Sequence, residues 1–208
     1  MTRELPYHRA NLRKTLLDAA VALIGEVGPR AFTLREVARR AGVSHNAPYR
    51  HFADKDELLA AVAAEGFERL AALMQEALAR GTLPLERLEL CGCGYVDFAL
   101  RWPNHLLVMF DLPHAAPRGN CDGAERIGRN AFSVLFDCIT AAQQSGDLPG
   151  GDPMPLAWTA WALVHGIAKL ANSGNLPLDA RSTLEFTRSA AQAIFGGMAK
   201  VASAAETC

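Results

Sequence analysis

The chain has 208 residues, half of them hydrophobic and 21% charged, the composition of an ordinary globular protein large enough for one well-filled core or for a small domain plus a larger one. No stretch reaches the roughly 20 uninterrupted apolar residues of a membrane-spanning helix, and the start Met1-Thr2-Arg3-Glu4 lacks the apolar run of a secretory leader, so a cytoplasmic protein with no membrane partner is expected. The net charge of −1 hides an asymmetry: residues 1–52 carry nine Lys or Arg against four Asp or Glu, and the remainder twelve against eighteen.

Every predicted element is helical, and no strand pair with a hairpin turn appears. Residues 9–27 carry Leu12, Leu16, Ala20, Leu23 and Val27 at spacings of three and four, one apolar stripe of a first helix that Gly25, Gly28 and Pro29 bring to an end. Thr33 is placed to cap a second helix, with Glu36 three residues on as its capping-box partner, and Phe32 and Val37 placed as a hydrophobic staple. That helix runs to about Arg40 and stops at Ala41-Gly42, where glycine can turn left-handed. Ser44 is the natural cap of a third short helix ending near Phe52. Asp54, with Glu57 behind it, starts a long fourth helix to about Arg80.

After a Gly81-Thr82-Leu83-Pro84 linker, helices are predicted over 85–102, 104–111, 123–145, 153–172 and 180–200. Pro and Gly clusters at Pro113–Gly123, Gly146–Pro155 and Gly174–Pro177 separate them. The reading is an all-α chain of about nine helices. A three-helix head over residues 1–54 is joined through a long fourth helix to a helical body over 55–208.

Two short helices joined by a glycine turn describe either a helix-turn-helix or an ordinary helical hairpin. The local excess of basic charge favours the helix-turn-helix, since a basic segment joined to an acidic body suits a nucleic-acid head. Its second helix offers Ser44, His45, Asn46, Tyr49, Arg50 and His51. Asn46 can pair bidentately with adenine, His45 can meet a base edge, and Arg50 can serve a guanine or a phosphate. Leu34, Val37, Ala38, Val43 and Phe52 would hold the motif together.

Thr33-Leu-Arg-Glu-Val-Ala-Arg-Arg-Ala-Gly42-Val-Ser44, followed by Ala47-Pro-Tyr49-Arg-His51-Phe52-Ala-Asp-Lys55-Asp-Glu-Leu58-Leu59, resembles the TetR family of bacterial one-component regulators over about residues 10–65. The resemblance implies that Tyr49 and His51 touch the DNA backbone. Lys55 and the cap at Thr33 would hold phosphates at helix N-termini. It further implies that His45 and Asn46 lie nearest the bases, with Arg35 a further contact. Pro48, at about the fourth position of the third helix, departs from the pattern of many members. It disfavours helical geometry at Ala47 and can distort the reading helix.

In the body, Phe98, Trp102, His105, Met109, Phe110, Phe132, Phe136, Trp158, Trp161 and His165 form an amphipathic set that can line an effector pocket or simply fill a core. Trp102, His105, Met109, Phe110, Phe132, Phe136, Trp161 and His165 are the pocket candidates, and Trp161 and His165 share a helix face. The family implies a pocket for a small, mainly apolar molecule. It also implies a homodimer through the last two long helices reading a near-palindromic operator, with repression released by the effector.

Five cysteines, Cys91, Cys93, Cys121, Cys138 and Cys208, are expected as reduced thiols. Cys91-Gly-Cys93 lacks the second pair that a zinc site needs. No Gly-x-Ser-x-Gly, phosphate-loop or His-Glu-x-x-His motif appears, so neither a metal, a cofactor nor an enzymatic activity is expected. Two alternatives remain open, a thiol-based redox-sensing regulator and a small helical enzyme of another kind.

Overall fold

The computed structural model describes residues 6–111 and 122–198. Among them all regular structure is helical. The elements are α1 (Pro6–Val27), α2 (Leu34–Arg40), α3 (Lys55–Leu78), α4 (Pro84–Arg101), α5 (Pro103–Asp111), α6 (Asp122–Gln144), α7 (Met154–Asn172) and α8 (Ala180–Ala191). A single 3-10 turn, Pro48–Arg50, stands between α2 and α3, and a π-turn, Gln192–Gly196, extends α8. The all-α architecture is as expected. Part of the Pro113–Gly123 connection and the last residues of the final predicted helix lie outside the described residues, as do Cys121 and Cys208.

The chain divides into two compact units, one of residues up to 66 with 104–125, the other of 67–103 with 126 onward. Helix α3 therefore gives its first half to one unit and its second half to the other. Helix α5 belongs to the first unit.

The first unit is built around Leu16, Ala20 and Ile24 of α1, Val37 of α2, Leu58 and Val62 of α3, and Leu106 and Met109 of α5, all buried. The α1 stripe is shorter than its sequence period suggests: Leu16, Ala20 and Leu23 are buried, but Val27 is 52% exposed. Val27 is the last helical residue, and the chain turns away at Gly28, so no neighbour covers it. Helix α5 seats closely in this unit. Asn104 Nδ2 donates to the Val21 carbonyl at 3.2 Å, and a Cβ on Gly66 would stand 2.5 Å from Met109 Sδ.

In the second unit α4 packs on α7 and α8. It stops at Trp102 because the residue before Pro103 is driven out of the helical region, to φ −129°, ψ 59°. The glycines of Cys91-Gly92-Cys93-Gly94 serve close approach. A Cβ on Gly94 would lie 2.9 Å from both the Leu73 carbonyl oxygen and Met74 Cα of α3, and one on Gly92 would lie 3.2 Å from Val164 Cγ1 of α7. Helix α4 is tied to α8 through buried Glu89, which accepts from Arg188 Nε at 3.2 Å and from Gln192 Nε2 at 2.9 Å.

Candidate nucleic-acid interface and effector cavity

The start of α2 is as its sequence dictates. Thr33 Oγ1 accepts from Glu36 N at 3.3 Å, and the Glu36 carboxylate accepts from Thr33 N at 2.7 Å and from Thr33 Oγ1 at 2.9 Å. These bonds hold the Glu36 carboxyl below its usual range, the Thr33 hydroxyl contributing most. Phe32 and Val37, the two halves of the staple, are both buried. At the other end Gly42 adopts φ +68°. Val43 N donates to the Ala38 carbonyl at 3.0 Å and Gly42 N to the Arg39 carbonyl at 3.2 Å, the paired bonds of a Schellman stop.

The third helix predicted from Ser44 to Phe52 is not formed. Its place is taken by turns and the 3-10 segment Pro48–Arg50, whose N-cap position is Ala47 rather than Ser44. Pro48 has no N–H to return to the Ser44 carbonyl, so Ala47 N takes that acceptor at 2.9 Å in a tighter loop. Ala47 itself is helical, at φ −61°, ψ −43°, against the expectation from its following proline. The segment is anchored from below by buried Ala47, Pro48 and Phe52. Ser44, His45, Asn46, Tyr49 and Arg50 are exposed, and His51 is half-buried beside Phe52. The base-reading and backbone-touching candidates thus share one exposed stretch, although their carrier is not an α-helix.

Several basic groups of the head are engaged in holding it together. Both guanidinium amines of Arg40 bond the Glu26 carboxylate, joining α2 to α1 and holding the Glu26 carboxyl below its usual range. The Arg13 guanidinium lies 5.3 Å from the Phe52 ring centroid. Lys55 is half-buried: its ammonium donates to the Arg30 carbonyl at 2.8 Å and lies 4.6 Å from the Phe32 ring centroid. Asp54 Oδ1 accepts from Glu57 N at 2.8 Å and caps α3. Arg35, like Arg39 one turn on, is exposed on α2.

The effector candidates fall in both units. His105, Met109 and Phe110 are on α5 in the first, where His105 Nε2 lies 3.3 Å from Glu65 Oε2. In the second, Trp102 stacks on Phe98 at 5.7 Å and under the Arg69 guanidinium at 5.3 Å. Phe136 is half-buried on α6. Phe132 meets Trp161 edge-on at 6.1 Å, and Trp161 meets His165 at 6.3 Å, so the shared face of α7 is real.

Sequence reasoning missed Tyr95. Its hydroxyl lies 2.8 Å from His165 Nδ1, and burial pushes the phenol well up, so the O–H stays on and can donate to that nitrogen. Tyr95 also borders an apolar cavity of about 20 Å³ in the second unit, walled in part by Leu88, Cys91, Leu135, Val164 and Phe195. That volume suits about one water molecule, and the walls offer it little to bond. None of the eight predicted pocket residues lines this cavity. The signal for it was present: Leu88, Cys91 or Gly92, and Tyr95 lie three or four residues apart on one face of α4.

The two thiols of Cys91-Gly-Cys93 differ in setting: Cys91 is fully buried in the wall of that cavity, whereas Cys93 Sγ lies 3.8 Å from the Leu184 carbonyl on α8.

Two family models match the chain, that of bacterial regulatory proteins of the tetR family over residues 16–62 and that of the tetracyclin repressor-like C-terminal domain over residues 88–194. An HTH-type transcriptional repressor of Mycobacterium tuberculosis is 32% identical over 144 residues, covering 64% of this chain and 75% of that protein. A solved structure of a protein of unknown function from Rhodococcus sp. RHA1 superposes with a TM-score of 0.79 at 34% identity, covering 94% of this chain and all of that one. The transcriptional regulator FadR from Bacillus subtilis, in complex with stearoyl-CoA, shares the fold with a TM-score of 0.68 at 20% identity, covering 85% and 97% of the two chains.

Proposed function

The chain belongs to the TetR family of bacterial regulatory proteins and is a DNA-binding transcriptional regulator, not an enzyme; from that premise we propose a ligand-responsive repressor, cytoplasmic and dimeric, that leaves a near-palindromic operator when a small, mainly apolar molecule binds. Residues 1–54 read DNA and residues 55–208 carry the effector site and dimer face. The observation that carries the reading is the exposed run Ser44, His45, Asn46, Tyr49 and Arg50, held up by a buried Pro48 and stopped from sliding by the Gly42 turn. Thr33, Arg35, His51 and Lys55 flank it as phosphate contacts. Lys55 can keep its bond to Arg30 and still offer two protons to a phosphate.

The dimer reading is supported by exposed apolar side chains on the last two long helices, Trp158 and Leu170 of α7 and Phe186 of α8. The stearoyl-CoA complex of a relative with the same fold supports an apolar effector. A chain of that size exceeds the cavity beside Tyr95, which holds about one water molecule, so binding there displaces the side chains around it. Such an effector shifts the population towards conformations with a different spacing of the two heads. A differential affinity of about 1–3 kcal/mol suffices for a 5- to 150-fold loss of operator affinity.

Binding to DNA selected from a random library tests the head. Asn46→Ala is expected to relax specificity at one base position at a cost of roughly 1–3 kcal/mol. Tyr49→Phe with Lys55→Ala is expected to weaken binding to every sequence and to flatten its salt dependence. Unchanged affinity, specificity and salt slope in folded variants would reject this surface. A strict monomer in light scattering at micromolar concentration would reject the dimer.

A further inference from the structure

We propose that Pro48 determines the base specificity of the DNA-reading head, as a positioning residue that sets how Asn46 stands relative to Tyr49. The inference rests on the reading above, in which the exposed run from Ser44 to Arg50 meets the bases, and adds what fixes the geometry of that run. Pro48 is not itself a base reader: it is buried with Ala47 on the inner side of the segment and has no N–H to offer.

The hydrogen bonds of the segment close every three residues. Ala47 N donates to the Ser44 carbonyl at 2.9 Å, Arg50 N to the Ala47 carbonyl at 3.2 Å and His51 N to the Pro48 carbonyl at 2.9 Å. A four-residue return to Ser44 would have to come from the nitrogen of Pro48, which carries no hydrogen. The Ser44 carbonyl is therefore left to Ala47, and His45 and Asn46 become the two central residues of the turn so closed. A four-residue bond appears past the proline, where Phe52 N also donates to the Pro48 carbonyl at 2.9 Å.

Both ends of the segment are pinned, so the path between them decides where the readers stand. At the start, Val43 N donates to the Ala38 carbonyl at 3.0 Å. At the end, Phe52 is buried with the Arg13 guanidinium 5.3 Å from its ring centroid. On a path that closes every three residues, each residue turns about 120° and rises about 2.0 Å, against about 100° and 1.5 Å in an α-helix. Asn46 and Tyr49 are three residues apart and both exposed, so on this path they stand nearly in line. On an α-helical path their directions would differ by about 60°. Tyr49 is the backbone contact and holds its place, so the swing falls on Asn46. A bidentate amide contact needs the amide in the plane of the adenine edge, and a swing of that size breaks it.

The test is a titration of the full chain on defined DNA. The wild type first selects its preferred duplex from a random library. That duplex and its single base-pair variants are then titrated at fixed salt, by fluorescence anisotropy, with wild type, Asn46→Ala, Pro48→Ala and Pro48→Val. Alanine and valine both restore the N–H, and valine also keeps about the bulk of the proline. Asn46→Ala is expected to lose discrimination at one base position. Both Pro48 variants are expected to lose about tenfold or more at that same position, although Asn46 is intact. A uniform loss of affinity on every duplex, with the wild-type preference kept, would assign Pro48 to packing and overturn the proposal. Preference kept by Pro48→Val but lost by Pro48→Ala would make side-chain size the cause and overturn it too. If Asn46→Ala acts and neither Pro48 variant does, the proposal alone fails. If Asn46→Ala changes no preference, the reading of the exposed run fails and the proposal with it.

Discussion

The reading head and the second unit of this chain are shaped over very different distances in sequence. In the head, the capping bonds span three residues, as from Thr33 to Glu36 and from Asp54 to Glu57, and the ties Arg40 to Glu26 and Lys55 to Arg30 span 14 and 25; where α5 joins the first unit, Asn104 to Val21 spans 83. In the second, the bonds that define the interior span 70 from Tyr95 to His165, 73 from Asn172 to Ala99 and 103 from Gln192 to Glu89. The head is written in caps and turns, each of which works almost alone. The body depends on which helix lies beside which, and no single residue announces that.

The comparison breaks most sharply at two glycines. Gly94 is limited by space: an added Cβ would meet backbone atoms of Leu73 and Met74 at 2.9 Å, and backbone cannot step aside. Gly94→Ala is therefore expected to cost about 1–3 kcal/mol by forcing α3 from α4. Gly94→Asn should be worse still. All three tryptophans, Trp102, Trp158 and Trp161, lie in the second unit, so tryptophan fluorescence during chemical denaturation reads this loss directly. A variant that unfolds at the wild-type midpoint would show that the close approach does not limit the body.

Next in size is the buried end of the α4–α8 tie. Glu89 is 7% exposed, and its carboxylate receives both Arg188 and Gln192. Glu89→Ala takes the partner from the exposed Gln192 amide and removes a charge-assisted bond. The Arg188 side chain is 47% exposed and can turn to water, so the loss falls below that of a fully buried pair. About 1–2 kcal/mol is expected. Glu89→Gln should recover part of it, and an equal loss in both variants would assign the effect to charge rather than to bonding.

How legible each unit was follows from the same contrast. The capping box, the staple and the Gly42 stop were readable because each is a local pattern with a local cause. The third helix was misjudged for an equally local reason: the period and Ser44 favoured an α-helix, but Pro48 removed the one N–H that would have continued it. Val27 was taken into the α1 stripe because periodicity does not say where a helix runs out of neighbours. Aromatic residues were favoured as pocket lining, and the cavity beside Tyr95 is walled by other residues, Leu88, Cys91 and Gly92 of α4 with Phe195 among them. Lys55 and Arg40 were legible as basic residues, but their partners Arg30 and Glu26 arise only from folding.

A smaller effect is expected at the head's own glycine. Gly42 has open space around its Cα and is constrained only by its φ of +68°. Gly42→Ala is expected to cost about 1 kcal/mol, and Gly42→Asn less, because asparagine tolerates the left-handed region. This is the reverse of the order at Gly94. The loss should appear in helix content by circular dichroism ahead of tryptophan fluorescence. The same order of substitutions at both sites would erase the distinction between a torsional and a spatial glycine.

The smallest effect is a matter of pH. The Glu36 carboxyl is held below its ordinary value chiefly by the Thr33 hydroxyl and then by the Thr33 backbone N–H. A lowered carboxyl favours the folded head while it is ionised. Its contribution is complete above the unfolded value near 4.5 and disappears as the pH falls through the lower folded value. Glu26 behaves alike through Arg40, so the wild-type head should lose stability on acidification from two sites. Thr33→Ala removes the main cause at Glu36 and leaves Glu26 untouched. Its stability should therefore fall less steeply between about pH 5 and pH 3 than that of the wild type, while lying below it at neutral pH for want of the cap. Thermal melts followed by circular dichroism across that range measure both slopes. Parallel slopes would mean that the capping box holds α2 by geometry alone, with no help from the charge of Glu36.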